Sequence, residues 1–235
     1  MSHRAFKDRL YPQFARVGAA LASERRLELL DLLAQAPRHV EALASETGMS
    51  VANVSQHLQH LRSARLVEAE RQGTKVRYRL AGDDVLRLWL ALRSVAETRL
   101  ADVDQVVRAF AGGESAEPPL TRDALADQIQ RGEVVLIDVR PPLEYEHGHL
   151  PGAVSVPLEE LPARLSELPR DKTIVAYCRG AYCLFADEAV ALLCAHGFHA
   201  RRLDGGWPEW YAEGRTVTAG SASSPPRRAD WREQR

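Results

Sequence analysis

The chain has 235 residues, room for one or two domains with modest cores. Hydrophobic residues make up 45% and charged residues 27%, an ordinary globular balance, and no apolar run approaches the roughly 18 residues that would span a bilayer. The net charge of -1 hides an asymmetry: residues 1–80 carry 13 Lys/Arg against 8 Asp/Glu, and residues 120–216 carry 10 against 15, so a polyanion partner suits the first part and not the second.

In chain order, Phe6, Leu10, Phe14, Val17 and Leu21 share one face of a helix. Ser23 is placed to cap a second helix through Gln35, with Leu27, Leu30 and Leu33 on one side, stopped near Pro37. A short helix, Val40 to Thr47, ends at Gly48. Ser50 then caps another, Val51 to Ala64, whose buried stripe is Val51, Val54, Leu58 and Leu61. Its other positions include Ala52, Asn53, Ser55 and Gln56, small or planar groups suited to reading base edges in a major groove. Short helix, glycine turn and polar-faced helix make a helix-turn-helix. Leu66 to Arg71 and Lys75 to Leu80 then read as two strands around a glycine turn, with Lys75, Arg77 and Arg79 on one face. A basic hairpin directly after a helix-turn-helix is a wing placed to touch phosphates.

SVANVSQHLQHLRSARLV followed by RQGTKVRYRL resembles the winged-helix domain of ArsR/SmtB-type bacterial repressors, over roughly residues 10–110. The resemblance implies a homodimer on a double-stranded DNA operator, base contact by Ala52, Asn53, Ser55 and Gln56, and backbone contact by Lys75 and Arg77. Asp83 to Phe110 reads as one long helix with an apolar stripe from Val85 to Phe110. Part of that stripe, with Phe6 to Val17, is the candidate dimer interface. Many members of this family sense metals or oxidants through the winged helix itself. Residues 1–177 here contain no cysteine, and His39, His57 and His60 have no evident partner ligands, so no metal or cofactor is expected.

AGGESAEPP, Ala111 to Pro119, has the composition of a linker. Strand and helix patterns then alternate. Val134 to Ile137, Ala153 to Val156, Thr173 to Tyr177 and Ala200 to Leu203 read as strands. Arg122 to Arg131, Leu158 to Leu168 and Leu184 to His196 read as helices. That alternation predicts an open, mostly parallel sheet with ligands at the carboxyl ends of its strands. Asp138 and Cys178 both stand at such ends. Three stretches, IDVRPPLEYEHGHLPGAVSVP, YCRGAYC and LDGGWPEWYAEG, resemble the signatures of the rhodanese (sulfurtransferase) family, covering about residues 118–216.

The expected fold class is therefore two domains, a mainly α winged helix-turn-helix followed by an α/β rhodanese-like open parallel sheet. The expected boundaries are 1–111 for the first domain, 112–119 for a linker, 120–216 for the second domain and 217–235 for a flexible tail.

Sulfur transfer needs a thiolate that takes an outer sulfur as a persulfide. Cys178, where a strand gives way to a helix, suits that task, and the loop of Gly180, Ala181 and Tyr182 can aim N–H groups at the sulfur. Arg179 could add charge or meet an anionic donor. Asp138 and Arg140 read as structural support. Glu144, His147 and His149 read as turn-forming. Cys183 is a candidate resolving thiol, and Cys194 a core residue. A phosphatase-like Cys-x5-Arg loop would need arginine at position 184, which is Leu184.

These residues point to a cytoplasmic, dimeric DNA-binding regulator, a repressor, that detects sulfane sulfur from thiosulfate, polysulfide or persulfide at Cys178 and Cys183. The alternatives are a sulfurtransferase tethered to DNA and a rhodanese domain used only for protein contact.

Overall fold

The computed structural model describes residues 2–110 and 118–219. The expected linker at 112–119 and the tail at 217–235 thus fall largely outside the described residues. The chain divides into two compact units, Met1–Arg93 and Ser94–Arg235.

In the first unit, α1 (His3–Leu21) starts at Ser2, whose hydroxyl accepts from the Arg4 N–H. Only Ala20 of this helix is buried, and Phe6, Tyr11 and Phe14 stand well out in solvent. α2 (Glu24–Gln35) buries Leu29, Leu30, Leu32 and Leu33, while Leu27 lies at the edge of that face. A short strand, β1 (Arg38–His39), leads into α3 (Val40–Thr47), which closes on Gly48 in the left-handed region at φ 66°. α4 (Val51–Ser63) is capped by Ser50, whose hydroxyl accepts from the Asn53 N–H at 3.2 Å. It buries Val54, Leu58 and Leu61, but Val51, expected in the stripe, is exposed because it sits on the first turn beyond the reach of the core. The wing is β2 (Val67–Gln72) paired antiparallel with β3 (Lys75–Leu80), turning at Gly73 with φ 62°. β1 adds to the other edge of β3, a third strand the sequence pattern did not show because two residues carry no periodicity.

The expected helix over 83–110 is two helices, α5 (Asp83–Arg99) and α6 (Ala101–Phe110), broken at Leu100. The start of α5 packs into the first core through Val85, and Trp89 donates from Nε1 to Asp31 Oδ1 at 3.0 Å. α6 belongs to the second unit.

The second unit is a four-stranded, all-parallel sheet ordered β5-β4-β6-β7, formed by β4 (Val134–Asp138), β5 (Val154–Ser155), β6 (Thr173–Cys178) and β7 (Ala200–Gly206). Residues alternate between its two faces, and each face has its own core. Val135, Ile137, Ile174, Ala176 and Cys178 pack under α10 (Phe185–Ala195) through Ala186, Ala189, Val190 and Leu193. Val134, Leu136, Val175 and Tyr177 pack under α7 (Arg122–Gln130), α8 (Pro142–His147) and α11 (Trp207–Ala212), through Leu125, Tyr145, Trp207 and Trp210. The helix expected over 158–168 shrinks to α9 (Leu161–Arg164) and a following 3-10 turn, with Pro162 in its first turn and Pro169 beyond. Cys194, expected in the core, is exposed: Val190 and Leu193 take the inward side of α10 and leave Cys194 on the outward one. No described helix is long and apolar enough to cross a membrane.

Candidate functional site

Beneath the sulfur loop lies a buried polar scaffold. Asp138 at the end of β4 and Arg140 are both fully buried and form an ion pair at 2.6 Å. Arg140 Nε also donates to Asp138 Oδ1 at 3.0 Å, and its Nη2 donates to the Gly148 carbonyl at 2.8 Å. Tyr177 donates its hydroxyl proton to Asp138 Oδ2 at 2.5 Å, and the Leu150 N–H donates to that hydroxyl at 3.2 Å. The Arg140 guanidinium also lies over the rings of Tyr177 and Trp207. Burial works against the Arg140 charge, and the Asp138 carboxylate outweighs it; burial and the same carboxylate push the Tyr177 phenol upward, so it remains a hydrogen-bond donor. This network ties the ends of β4 and β6 to the segment around Gly148.

Cys178 ends β6 with 1% of its surface exposed. Its thiol donates towards the Cys183 carbonyl at 3.2 Å, and the Gly180 carbonyl lies at 3.8 Å. The Cys183 N–H donates to the Gly180 carbonyl at 3.2 Å and closes the loop. Gly180 holds φ 143°, which a side chain would resist. The start of α10 supplies N–H groups to both sulfurs, Ala186 to Cys178 and Phe185 to Cys183. Those donors do not make Cys178 the thiolate. Burial pushes the Cys178 thiol well up, and its shared hydrogen bond with Cys183 pushes the same way. Cys183 is drawn down to about 7, chiefly because Cys178 donates to it, with the Arg179 and Phe185 N–H groups adding to the effect. The sequence expectation put the thiolate on Cys178; burial and the neighbouring Cys183 oppose charge there, while Cys183, half-buried, is drawn down.

Arg179 runs back to α8. Its Nε donates to Glu144 Oε1 at 2.8 Å and Oε2 at 3.1 Å, and Nη2 pairs with Oε1 at 2.5 Å. Glu144 is fully buried, so this two-pronged pair neutralises the carboxylate and directs the guanidinium inward. Glu144 was read from sequence as a turn former, and its acidic character on a buried helix was the only available signal. Gly206 was also passed over. A Cβ there would lie 2.2 Å from the Cys178 carbonyl oxygen and 2.5 Å from the Gly180 nitrogen. β7 can pass under the loop only without a side chain at that point. Ala181 and Tyr182 form the outer wall of the loop, and Tyr182 is 41% exposed. His149 stacks on Tyr145 at 3.8 Å and bonds the Tyr145 carbonyl through Nδ1, and no group of three or more His, Cys, Asp or Glu with metal-holding geometry occurs among the described residues.

On the first unit, Ala52, Asn53 and Gln56 are exposed on α4 and Ser55 is half-buried beside them. On β3, Lys75 is exposed and Arg77 half-buried. The wing is less basic in space than in sequence. Arg79 forms an ion pair with Glu68, and Arg77 stands across the ladder from Glu70. Sequence alternation along β3 alone could not show the acidic residues brought opposite by β2.

Residues 23–69 match the bacterial regulatory protein arsR family and residues 121–213 match the rhodanese-like domain. The chain is 49% identical over 215 residues to the HTH-type transcriptional regulator Rv0324 of Mycobacterium tuberculosis, covering 92% of this chain and 94% of that one. It is 34% identical over 88 residues to a sulfurtransferase of Allochromatium vinosum, covering 37% of this chain and 80% of that one. Among solved structures it is similar to the homodimeric winged helix-turn-helix DNA-binding domain (fragment 1–100) of Mb0332 from Mycobacterium bovis, at 51% identity and TM-score 0.41, over 43% of this chain and 93% of that one. With the fold described above, the near full-length match to a transcriptional regulator places this chain in the ArsR family of bacterial transcriptional regulators, in a form that carries a C-terminal rhodanese-like domain.

Proposed function

We propose that the protein is a dimeric, cytoplasmic repressor that senses sulfane sulfur through Cys178 and Cys183. The observation that carries this reading is the placement of two thiols in one loop, with the Cys178 thiol donating to the Cys183 backbone carbonyl at 3.2 Å and Cys183 drawn down to about 7. A cysteine-free first unit and a dithiol in the second divide DNA binding from signal reception. In the sensing step a thiolate of the pair attacks the outer sulfur of a persulfide or polysulfide donor. The donor's S–S bond breaks, the cysteine keeps the transferred sulfur as a persulfide, and the remainder leaves as a thiolate. The second cysteine then attacks the inner sulfur of that persulfide, expelling hydrosulfide and closing a disulfide; where a second donor molecule has first converted the second cysteine to a persulfide as well, the first persulfide attacks its inner sulfur, expels hydrosulfide and leaves one sulfur bridging the two.

DNA binding in this reading uses Ala52, Asn53, Ser55 and Gln56 at base edges, and Lys75 and Arg77 at phosphates. The exposed Phe6, Tyr11 and Phe14 on α1 support pairing with a second copy, and the Mycobacterium bovis domain, described as homodimeric, favours the same assembly. Capture of sulfur lowers operator affinity. Mass spectrometry of the Cys178–Cys183 peptide after polysulfide exposure, beside a gel shift on the same sample, tests this. Modified cysteines with unchanged operator affinity would remove the coupling.

The similarity to the Allochromatium vinosum sulfurtransferase favours a second reading, turnover of sulfur to an acceptor thiol. Fast turnover that is lost in Cys178→Ser and unaffected by Cys183→Ser selects it. Slow turnover that rises in Cys183→Ser selects the sensor.

A further inference from the structure

Beside the sulfur loop lies a cavity of about 510 Å³, within the range of small-molecule sites. One wall is the loop itself, through Ala181, Tyr182 and Leu184, so the two neighbours of Cys183 both line it. The opposite wall is α6, through Val103, Val106, Val107 and Phe110. Among the described residues its ionic groups are Asp102, Asp187 and Arg202, and Arg202 is already paired with Asp187 at 2.9 Å. The cavity therefore has an apolar lining and a net negative rim. Arg179, the cation of the loop, is committed to the buried Glu144.

We infer that this cavity is the receiving site for an uncharged organic polysulfide, such as a dialkyl trisulfide, and that it discriminates against anionic donors. The inference rests on the sensor reading of Cys178 and Cys183. Apolar walls gain by burying alkyl chains, whereas an anion entering here leaves water to meet the Asp102 carboxylate and an arginine already neutralised by Asp187. The chemistry is a thiol–disulfide exchange with the donor as oxidant. The Cys183 thiolate attacks an outer sulfur of R–S–S–S–R, the bond to the central sulfur breaks, and RSS⁻ leaves, giving a Cys183–S–S–R mixed disulfide. Cys178 attacks the Cys183 sulfur, expels RS⁻ and closes the Cys178–Cys183 disulfide. Two cysteine thiols lose two protons and two electrons, and the trisulfide is reduced to one persulfide and one thiol.

The test uses the full chain and two donors with the same reactive S–S–S unit, neutral dibutyl trisulfide and anionic glutathione trisulfide. Rates of thiol loss at Cys178 and Cys183 are read by peptide mass spectrometry, each divided by the donor's rate with free glutathione. The expected result is a normalised preference of at least about tenfold for the dibutyl compound. Val107→Asp on α6 removes about tenfold of its rate and leaves the glutathione trisulfide rate within about twofold. Phe110→Ala, at a residue 70% exposed and so harmless to folding, lowers the same rate in the same direction by a smaller factor. Equal normalised rates for the two donors, or equal losses for both in either variant, overturn the cavity assignment while the sensor reading stands. Failure of both donors to modify either cysteine overturns the sensor reading itself.

Discussion

Substituting Cys178 by alanine tests the division of labour between the two thiols. Cys178 donates the hydrogen bond that contributes most to drawing Cys183 down to about 7 from its ordinary 9. Removing it returns Cys183 towards that ordinary value, so the thiolate fraction at pH 7 falls from about a half to as little as about 1%. The loss is partly offset, because a more basic thiolate is more nucleophilic, by about half a decade per pH unit of pKa. The wild type thus reacts up to about fivefold faster at pH 7, the rates cross near about pH 8, and the variant is up to about tenfold faster at pH 10. The assay is modification of Cys183 by neutral 2,2′-dithiodipyridine across pH 6 to about 10 in a Cys194→Ser background, since Cys194 is also exposed. Wild-type reactivity rises through about pH 7 and then levels off. Parallel profiles with one midpoint would refute the claim that Cys178 acidifies its neighbour.

Asp138→Ala strands the fully buried Arg140 charge, and urea unfolding of the second unit should lose about 3–5 kcal/mol; a loss below about 1 kcal/mol would mean the pair is not a support. Gly206→Ala drives a methyl group against the Cys178 carbonyl, so sulfur capture slows and the second unit loses about 1–3 kcal/mol, with operator affinity unchanged in the reduced protein. An unperturbed capture rate there would show that the loop does not depend on the close approach of β7. Lys75→Ala and Arg77→Ala each reduce the slope of log affinity against log salt by about 1, whereas Arg79→Ala, whose charge is spent on Glu68, changes it less. Equal slopes for all three variants contradict that ranking.

Both domain types were legible in the chain because their evidence is local. The Ser50 cap, the Val54–Leu58–Leu61 stripe and the alternation of Lys75 to Leu80 need only neighbours within one element. The continuous apolar run of β4 similarly required a sheet covered on both faces. Leu27 and Val51 were misplaced by one edge of a helix because periodicity sets a face only to within a residue or so. The break at Leu100 carries no glycine or proline, and nothing in the side-chain pattern explains it.

The sequence by itself determined the two folds, the loop bearing Cys178 and Cys183, and the polar face of α4, since each is written in residue type and spacing. Only tertiary structure decided that burial opposes charge on Cys178, that Arg179 turns to Glu144, that Glu68 faces Arg79 and that Gly206 must pass under the loop. Each depends on groups 11 to 35 residues apart in sequence being brought within a few ångströms, or on burial, which raises Cys178. Neither solvation nor long-range approach is encoded at any one position.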